Sequence, residues 1–310
     1  MNSIQAMAAD MECQRGLKLP PLSLPEPSQS EPLGSRMAFA GSGDSYAAAL
    51  AAHYLSSGRA TCHRPADIID AGPLLAGGRV LYIVSISGRT KANALAAKAA
   101  QTAGMQTVAV TADESSPLAR RCSRIIRLDY PASGTRTSGT VSFTASLVAC
   151  AWLATGGRPG LSSAAEIGRI YDDAAAKAAA GKPGAAPAII LGDAHLYPAA
   201  IYGALKLNEV LGARAVAYPL EEFFHAPLFG VKGSDRILVL GNSQAAKKLK
   251  GAGLGAQSIA CPGKTALESL LYAVFFLQHL VLGLAERRGL TDCRFVSDKK
   301  LLRLSSDFIY

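Results

Sequence analysis

The chain has 310 residues, of which 49% are hydrophobic, 18% charged and 6% aromatic, and its formal net charge is +9. Such a length suits about two domains with sizeable cores, and the apolar fraction excludes disorder over most of the chain. With Trp152 the single tryptophan, the core must be built largely from Ala, Val, Leu and Ile. The positive charge admits nucleic acid, an acidic membrane surface, a phosphorylated small molecule, or nothing beyond solubility.

The first seven residues, Met1 to Met7, lack the basic start and apolar run of a secretory signal. Leu270 to Ala285, the longest apolar stretch, is broken by Gln278 and His279 and reads as a core or interface helix, not a membrane span. Six cysteines are scattered without a CxxC pair, and with five histidines nothing has zinc-ligand spacing. The expectation is a cytoplasmic protein with reduced thiols, no structural metal, no cofactor and no membrane partner.

In chain order, a short N-terminal helix is followed by a lead over residues 17–35, where Pro20, Pro21 and Pro32 forbid a helix or a central strand. From Met37, short apolar runs alternate with Ala-rich segments of helical length. Met37–Ala40, Val80–Val84, Thr107–Val110 and Ile125–Leu128 read as buried strands. Asp44–Ser57, Thr90–Gly104, Ser116–Cys122 and Val141–Ala154 read as helices, an alternation that predicts a parallel sheet with helices on both faces.

Pro159 and Gly160 mark a break. A helix over Ala164–Ala180 leads to the Gly181–Gly184 turn, a strand Ala188–Leu191 and a helix Pro198–Leu211. Strands at Ala213–Ala217, Ile237–Leu240 and Ser258–Ala260 then precede a long helix Thr265–Arg287. The two halves read as an internal repeat, because Phe39–Ala49 overlays Ile190–Ala200 without a gap, matching the Gly, the Tyr and the Ala pair. Where the first copy has Ser45 the second has Leu196. The expected organisation is a helix and Pro-rich lead over 1–33, α/β domains over 34–160 and 161–292, and a C-terminal tail over 293–310.

Two turns of the first half share one design. Gly41-Ser42-Gly43-Asp44-Ser45 and Ser85-Ile86-Ser87-Gly88-Arg89-Thr90 each follow a strand and open a helix, at the edge where ligands of α/β proteins bind. Glycines let the backbone approach an oxyanion, hydroxyls donate to it, and the helix amino terminus adds free N–H groups. Hydroxyls without an obligatory lysine suit a phosphomonoester; the competing explanation is that Ser and Thr are good helix caps. A dinucleotide fingerprint is weak, since Tyr46 occupies its third position, and Gly263-Lys264-Thr265 lacks the earlier glycine of a Walker A loop.

In the second half Lys206 and Glu209 are three apart on a helix and share a face, as an exposed ion pair also would. Further on, Glu221-Glu222-Phe223-Phe224-His225-Ala226-Pro227 sets two carboxylates and a histidine among aromatics, and His225 could be a core residue or a general acid.

These strings together resemble the double sugar isomerase (SIS) domain family, in particular the isomerase half of glucosamine-6-phosphate synthases. The carriers are the Gly41–Tyr46 loop, S-x-S-G-x-T at Ser85–Thr90, A-L-K-x-x-E at Ala204–Glu209 and E-x-x-H-x-P at Glu222–Pro227, in the family's order. The resemblance spans residues 34 to 303. It implies two tandem α/β SIS domains, each a three-layer sandwich with a mainly parallel, flavodoxin-like sheet, and a phosphosugar substrate.

Carried over by residue, the resemblance implies that Gly43, Ser45, Ser85, Ser87 and Thr90 hold the phosphate, with the Ile86 N–H adding a donor. Glu209 would be the base moving a proton between C1 and C2, Lys206 would assist it, and His225 would open the sugar ring from the neighbouring subunit of a homodimer. Lys300, or Lys299 beside it, would cover the sugar near the C-terminus. The chain departs from the synthases at Ile86, where they have Gln, at Arg89, where they have Glu, at Thr135–Ser138, and over Val296–Leu304. It shows no N-terminal nucleophilic cysteine, so glutamine-dependent amination is not expected of it.

The function expected is a hexose 6-phosphate or amino-sugar 6-phosphate isomerase, or a deaminase/isomerase. The alternative is a sugar-phosphate sensor without turnover. No nucleic-acid partner is expected, because basic residues gather only near the C-terminus without interleaved aromatics.

Overall fold

Parallel pairing of short apolar strands organises the chain around two sheets. In the computed structural model of the protein, residues 1–17, 37–75, 79–157, 160–161, 163–180 and 186–310 are described. The Pro-rich lead beyond residue 17, Pro159 and the Gly181–Gly184 turn lie outside them.

Helix α1 (Ser3–Glu12) starts on a capping box, in which Asn2 Oδ1 accepts from the Gln5 N–H at 2.9 Å and Gln5 Oε1 accepts from the Asn2 N–H at 3.2 Å. Then follow β1 (Met37–Gly41), α2 (Asp44–Leu55), β2 (Thr61–His63), α3 (Pro65–Leu75), β3 (Val80–Val84), α4 (Lys91–Thr102), β4 (Gln106–Thr111), α5 (Pro117–Arg121), β5 (Arg124–Arg127) and α6 (Val141–Ala154). The second set comprises α7 (Ala164–Ala180), β6 (Ile189–Leu191), α8 (Tyr197–Leu211), β7 (Val216–Tyr218), α9 (Leu220–His225), β8 (Arg236–Leu240), α10 (Ser243–Gly251), β9 (Gly255–Ile259), α11 (Ala266–Arg287), α12 (Arg294–Ser297) and α13 (Lys299–Ile309).

The first sheet has the order β2-β1-β3-β4-β5 and the second β7-β6-β8-β9, with every pairing parallel. The pattern-based strands recur here within three residues at either end, and the two sheets open in the same strand order; β5, expected to be buried, is instead an edge strand whose residues are mostly exposed. Not foreseen were β2, whose three half-buried residues are too short to show a period, and the helices α3, α9, α10, α12 and α13.

The chain folds as two compact units. One comprises Met1–Gly16, Ala132–Thr140 and Gly160–Lys299, and the other Leu17–Pro131, Val141–Pro159 and Lys300–Tyr310. In the unit of the first sheet, Ala38, Ala40, Leu81, Ile83 and Ala109 meet Ala96, Ala97 and Ala100 of α4, where small side chains let helix and sheet approach closely. In the other unit, Ile189, Leu191, Ile237 and Val239 pack on Leu220, Phe223 and Leu249. Helix α11 is long and apolar enough to cross a membrane, yet 72% of that stretch is buried inside the protein, which marks it as a core helix.

Candidate functional site

In the unit of the first sheet, the register pairs Gly41 with Val84, so the turns after β1 and β3 emerge side by side at the carboxyl edge. Gly41 allows the first turn to form, since a Cβ there would lie 2.6 Å from the Ser45 carbonyl carbon. Gly43 caps α2 at φ 57° and ψ −127°, a conformation suited to glycine. Ser45 sits in the first turn of α2 and is half-buried.

In the second turn, Ser85 is buried, its N–H donating to Val110 O at 2.9 Å. Ile86 O accepts from the Ala112 N–H and from Thr111 Oγ1, each at 3.0 Å, which fixes the peptide ahead of Ser87. Ser87 Oγ accepts from the Arg89 N–H at 3.4 Å. Thr90 occupies the N-cap of α4, but its side chain makes no capping bond. The capping explanation therefore fails at Thr90, and α2 is capped by a glycine without a side chain. The structure thus brings Gly43, Ser45, Ser85, Ile86, Ser87 and Thr90 to one edge of one sheet, which suits an oxyanion. Beside this edge Arg89 lies over the Tyr310 ring at 5.5 Å, and Lys91 Nζ donates to Asp307 O at 3.4 Å.

In the other unit, α8 positions Lys206 and Glu209. The Lys206 side chain is fully buried, its Nζ 2.5 Å from Glu209 Oε2 and 5.2 Å from the centre of the Tyr202 ring, while the Glu209 side chain is 38% exposed. An exposed ion pair is thereby ruled out for the lysine. Burying an ammonium is costly unless it is paired, so Glu209 is as much its structural partner as its neighbour.

Sequence reasoning missed the other groups that hold this pair. Ser138, buried, donates from Oγ to Glu209 Oε2 at 2.8 Å. Tyr202 donates to Gly139 O at 2.8 Å, tying the 138–140 segment to α8, and Gln278 Nε2 donates to the Tyr202 hydroxyl at 3.0 Å. Tyr202 stands four residues before Lys206, a helical spacing that could have flagged it; Ser138 lies in the Thr135–Ser138 string, which stood out only as a departure from the synthases.

His225 ends α9, is exposed, and makes no hydrogen bond or ion pair among the described residues. Lys299 and Lys300 open α13 and are exposed, where the sequence suggested a tail. Among the described residues the structure shows no hydrogen bond or ion pair between His225 and the Lys206–Glu209 pair.

Comparison with solved structures finds the same fold over both sheets. A glucosamine-6-phosphate deaminase from Thermotoga maritima aligns with a TM-score of 0.69 at 16% identity, over 92% of this chain and 95% of that one. Tagatose-6-phosphate ketose/aldose isomerase from Escherichia coli aligns with a TM-score of 0.67 at 15% identity, over 93% and 91%. The C-terminal domain of glucosamine-fructose-6-phosphate aminotransferase from Francisella tularensis aligns with a TM-score of 0.60 at 16% identity, over 92% and 94%. No curated protein sequence matches the chain. Residues 34–156, which contain both hydroxyl-rich turns, match the family described as SIS domain.

Proposed function

We propose that the protein is a phosphosugar isomerase acting on a hexose 6-phosphate or amino-sugar 6-phosphate by proton transfer between C1 and C2. The observation that carries this reading is the fully buried Lys206 ammonium held 2.5 Å from Glu209, a partly exposed carboxylate, in a chain whose segment matching the SIS domain contains two hydroxyl-lined oxyanion turns. A binding protein needs the turns alone; a carboxylate held by a buried cation and a serine suits proton transfer.

In this reading Ser45, Ser85, Ser87, Thr90 and the Ile86 N–H hold the phosphate, and its binding energy positions the carbons. Glu209 takes the C2 proton of the open-chain aldose. The C–H electrons form the C1–C2 double bond of an enediol, and O1 gains a proton as the carbonyl is consumed. Return of the proton to C1, with loss of the O2 proton, gives the ketose. Lys206 offsets the charge on Glu209, and His225, contributed by the second subunit of a homodimer, opens the ring. Lys300, with Lys299 beside it, covers the sugar. With an amino sugar the same proton transfer gives an imine that water converts to ketose and ammonia. The neighbour named as a deaminase and the one named as a ketose/aldose isomerase favour these two outcomes equally. We place the enzyme in the cytoplasm.

The test is a panel of fructose, glucose, tagatose and glucosamine 6-phosphates, followed by thermal shift and by NMR of products in D2O. Isomerisation exchanges the C1 or C2 hydrogen with solvent, and deamination releases ammonia. A stabilising ligand that shows neither exchange nor product makes the protein a sensor, and no stabilisation by any sugar removes the phosphate site.

A further inference from the structure

The second sheet ends at β9, whereas the first continues from β4 to β5. Beside β8 and β9, within the unit of the second sheet, lies a groove of about 720 Å3. Helix α11 lines it with one stripe, Phe276, His279, Leu280, Gly283 and Arg287, at spacings of three, four and seven that keep these residues on one face. Ile237, Ile259 and Phe276 supply a buried apolar floor. Neither Lys206 nor Glu209 lines it.

The rim of this groove is cationic. Lys177, Arg236, Lys250 and Arg287 line it against a single carboxylate, Glu286, and none of the four cations is in an ion pair among the described residues. Two glycines make room for the guanidinium groups: a Cβ at Gly255 would lie 2.5 Å from Arg236 Nη1, and one at Gly283 would lie 3.2 Å from Arg287 Nη1. The His279 Nε2 atom is enclosed without a hydrogen-bond partner among the described residues. Four unpaired cations around an apolar floor oppose self-association through this face and favour an anionic ligand. The volume is that of an ordinary small-molecule site, about 300–1,000 Å3.

We propose that this groove is a second ligand site, for an organic polyanion of nucleotide size whose ring or chain lies on Phe276 and Leu280 and whose anionic groups meet Arg236, Lys250 and Arg287. It goes beyond the phosphosugar reading and does not depend on it. The three cations contribute to binding as charge-assisted donors, and the apolar floor separates an organic polyanion from bare phosphate.

Calorimetric titration of the full chain with ADP, ATP, UDP and pyrophosphate, in EDTA and about 150 mM salt, tests it. The expected result is that a nucleotide binds with a Kd below about 1 mM and more tightly than pyrophosphate. Arg236→Glu with Arg287→Glu should weaken that binding at least about tenfold, and so should Ala178→Trp, which fills the groove without changing charge. Ser87→Ala with Thr90→Ala should leave it unchanged. Unfolding midpoints confirm that each variant is folded; the charges reversed are exposed. The proposal is overturned if no nucleotide binds, if pyrophosphate binds as well as the nucleotides, or if binding survives the groove variants and is lost in the Ser87/Thr90 variant.

Discussion

The Ser138 hydroxyl donates to Oε2 of Glu209 at 2.8 Å, the same oxygen that lies 2.5 Å from the Lys206 ammonium. Two donors on one oxygen fix the carboxylate plane, and neither engages Oε1. In the proposed reaction Oε1 is therefore the atom that receives the carbon-bound proton. Ser138→Ala should lower kcat by about tenfold, the worth of one hydrogen bond to a charged group, with little change in KM. Ser138→Thr, which retains the hydroxyl, should recover most of it. A fall in Tm with kcat intact would make Ser138 a purely structural residue.

Lys206 separates stability from turnover. A buried ammonium pays a desolvation cost that its ion pair only partly returns, so Lys206→Met, similar in volume, should leave the unfolding midpoint within a few degrees of the parent or raise it. Turnover should fall by about a hundredfold or more, because the charge beside Glu209 is gone. Glu209→Gln should also abolish turnover while keeping an acceptor for Lys206, whereas Glu209→Ala, which leaves the ammonium alone, should cost roughly 3 kcal/mol of stability. The checks are steady-state kinetics and denaturant unfolding on the same preparations. An active Glu209→Gln would refute the assigned base.

Gly88 shapes the second hydroxyl turn. Its φ is +58°, and a Cβ would overlap the Ser116 side chain, whose Oγ accepts from the Ala119 N–H at the start of α5. Gly88→Ala should cost roughly 2–4 kcal/mol through backbone strain and overpacking and should disturb the Ser87 hydroxyl. The measurement is the unfolding midpoint together with fructose 6-phosphate binding; an unchanged midpoint would mean that the turn is not held as described.

The N-terminal helix is pinned by Asp292. Its Oδ1 accepts from the Ser3 N–H at 3.0 Å and from Ser3 Oγ at 2.8 Å. The backbone bond first, then the hydroxyl bond and the Lys299 charge, hold its carboxyl below the ordinary value of 3.8. A depressed folded value means that this stabilisation is complete above about pH 4 and is lost as the pH falls through 3.8 toward the folded value. Asp292→Asn should therefore lower the unfolding midpoint at pH 7, and the difference from the parent should shrink progressively as the pH falls below 3.8. A difference that persists unchanged in acid would assign the effect to packing.

Much of the frame was legible because strands of four to six apolar residues between Ala-rich helices leave a clear alternation: Val80–Val84, Val141–Ala154 and Ala164–Ala180 have the ends that the pattern predicts. Helices such as α9 and α13 escaped because their aromatic, charged and apolar residues form no long period or remain largely exposed. At the site, the Lys206–Glu209 spacing was visible, but the complete burial of Lys206 depends on Tyr202 and the 138–140 segment, which lies more than sixty residues away in sequence. Contacts of that range leave no periodic mark.

The overlay of the two halves is sharper in the structure than in the letters, and it exposes a strained residue. Gly41 and Gly192 correspond, and each abuts the backbone four residues on, with a Cβ 2.6 Å from Ser45 C in one case and 2.7 Å from Leu196 O in the other. Two positions later Gly43 has φ 57°, and its counterpart Ala194 has φ 45°, a conformation that costs an L-residue about 1–2 kcal/mol. The flanking geometry sustains it: Asp193 Oδ1 accepts from the Leu220 N–H and Asp193 O from the Leu196 N–H, each at 2.9 Å. Ala194→Gly should relieve that strain at a smaller loss of unfolded-chain entropy, for a net gain of about 0.5 kcal/mol. Denaturant titration should give a higher midpoint with an unchanged m-value, and turnover should be unaffected because this copy of the turn carries Leu196 where the first carries Ser45. A lower midpoint would mean that the Ala194 methyl group packs better than the backbone is strained.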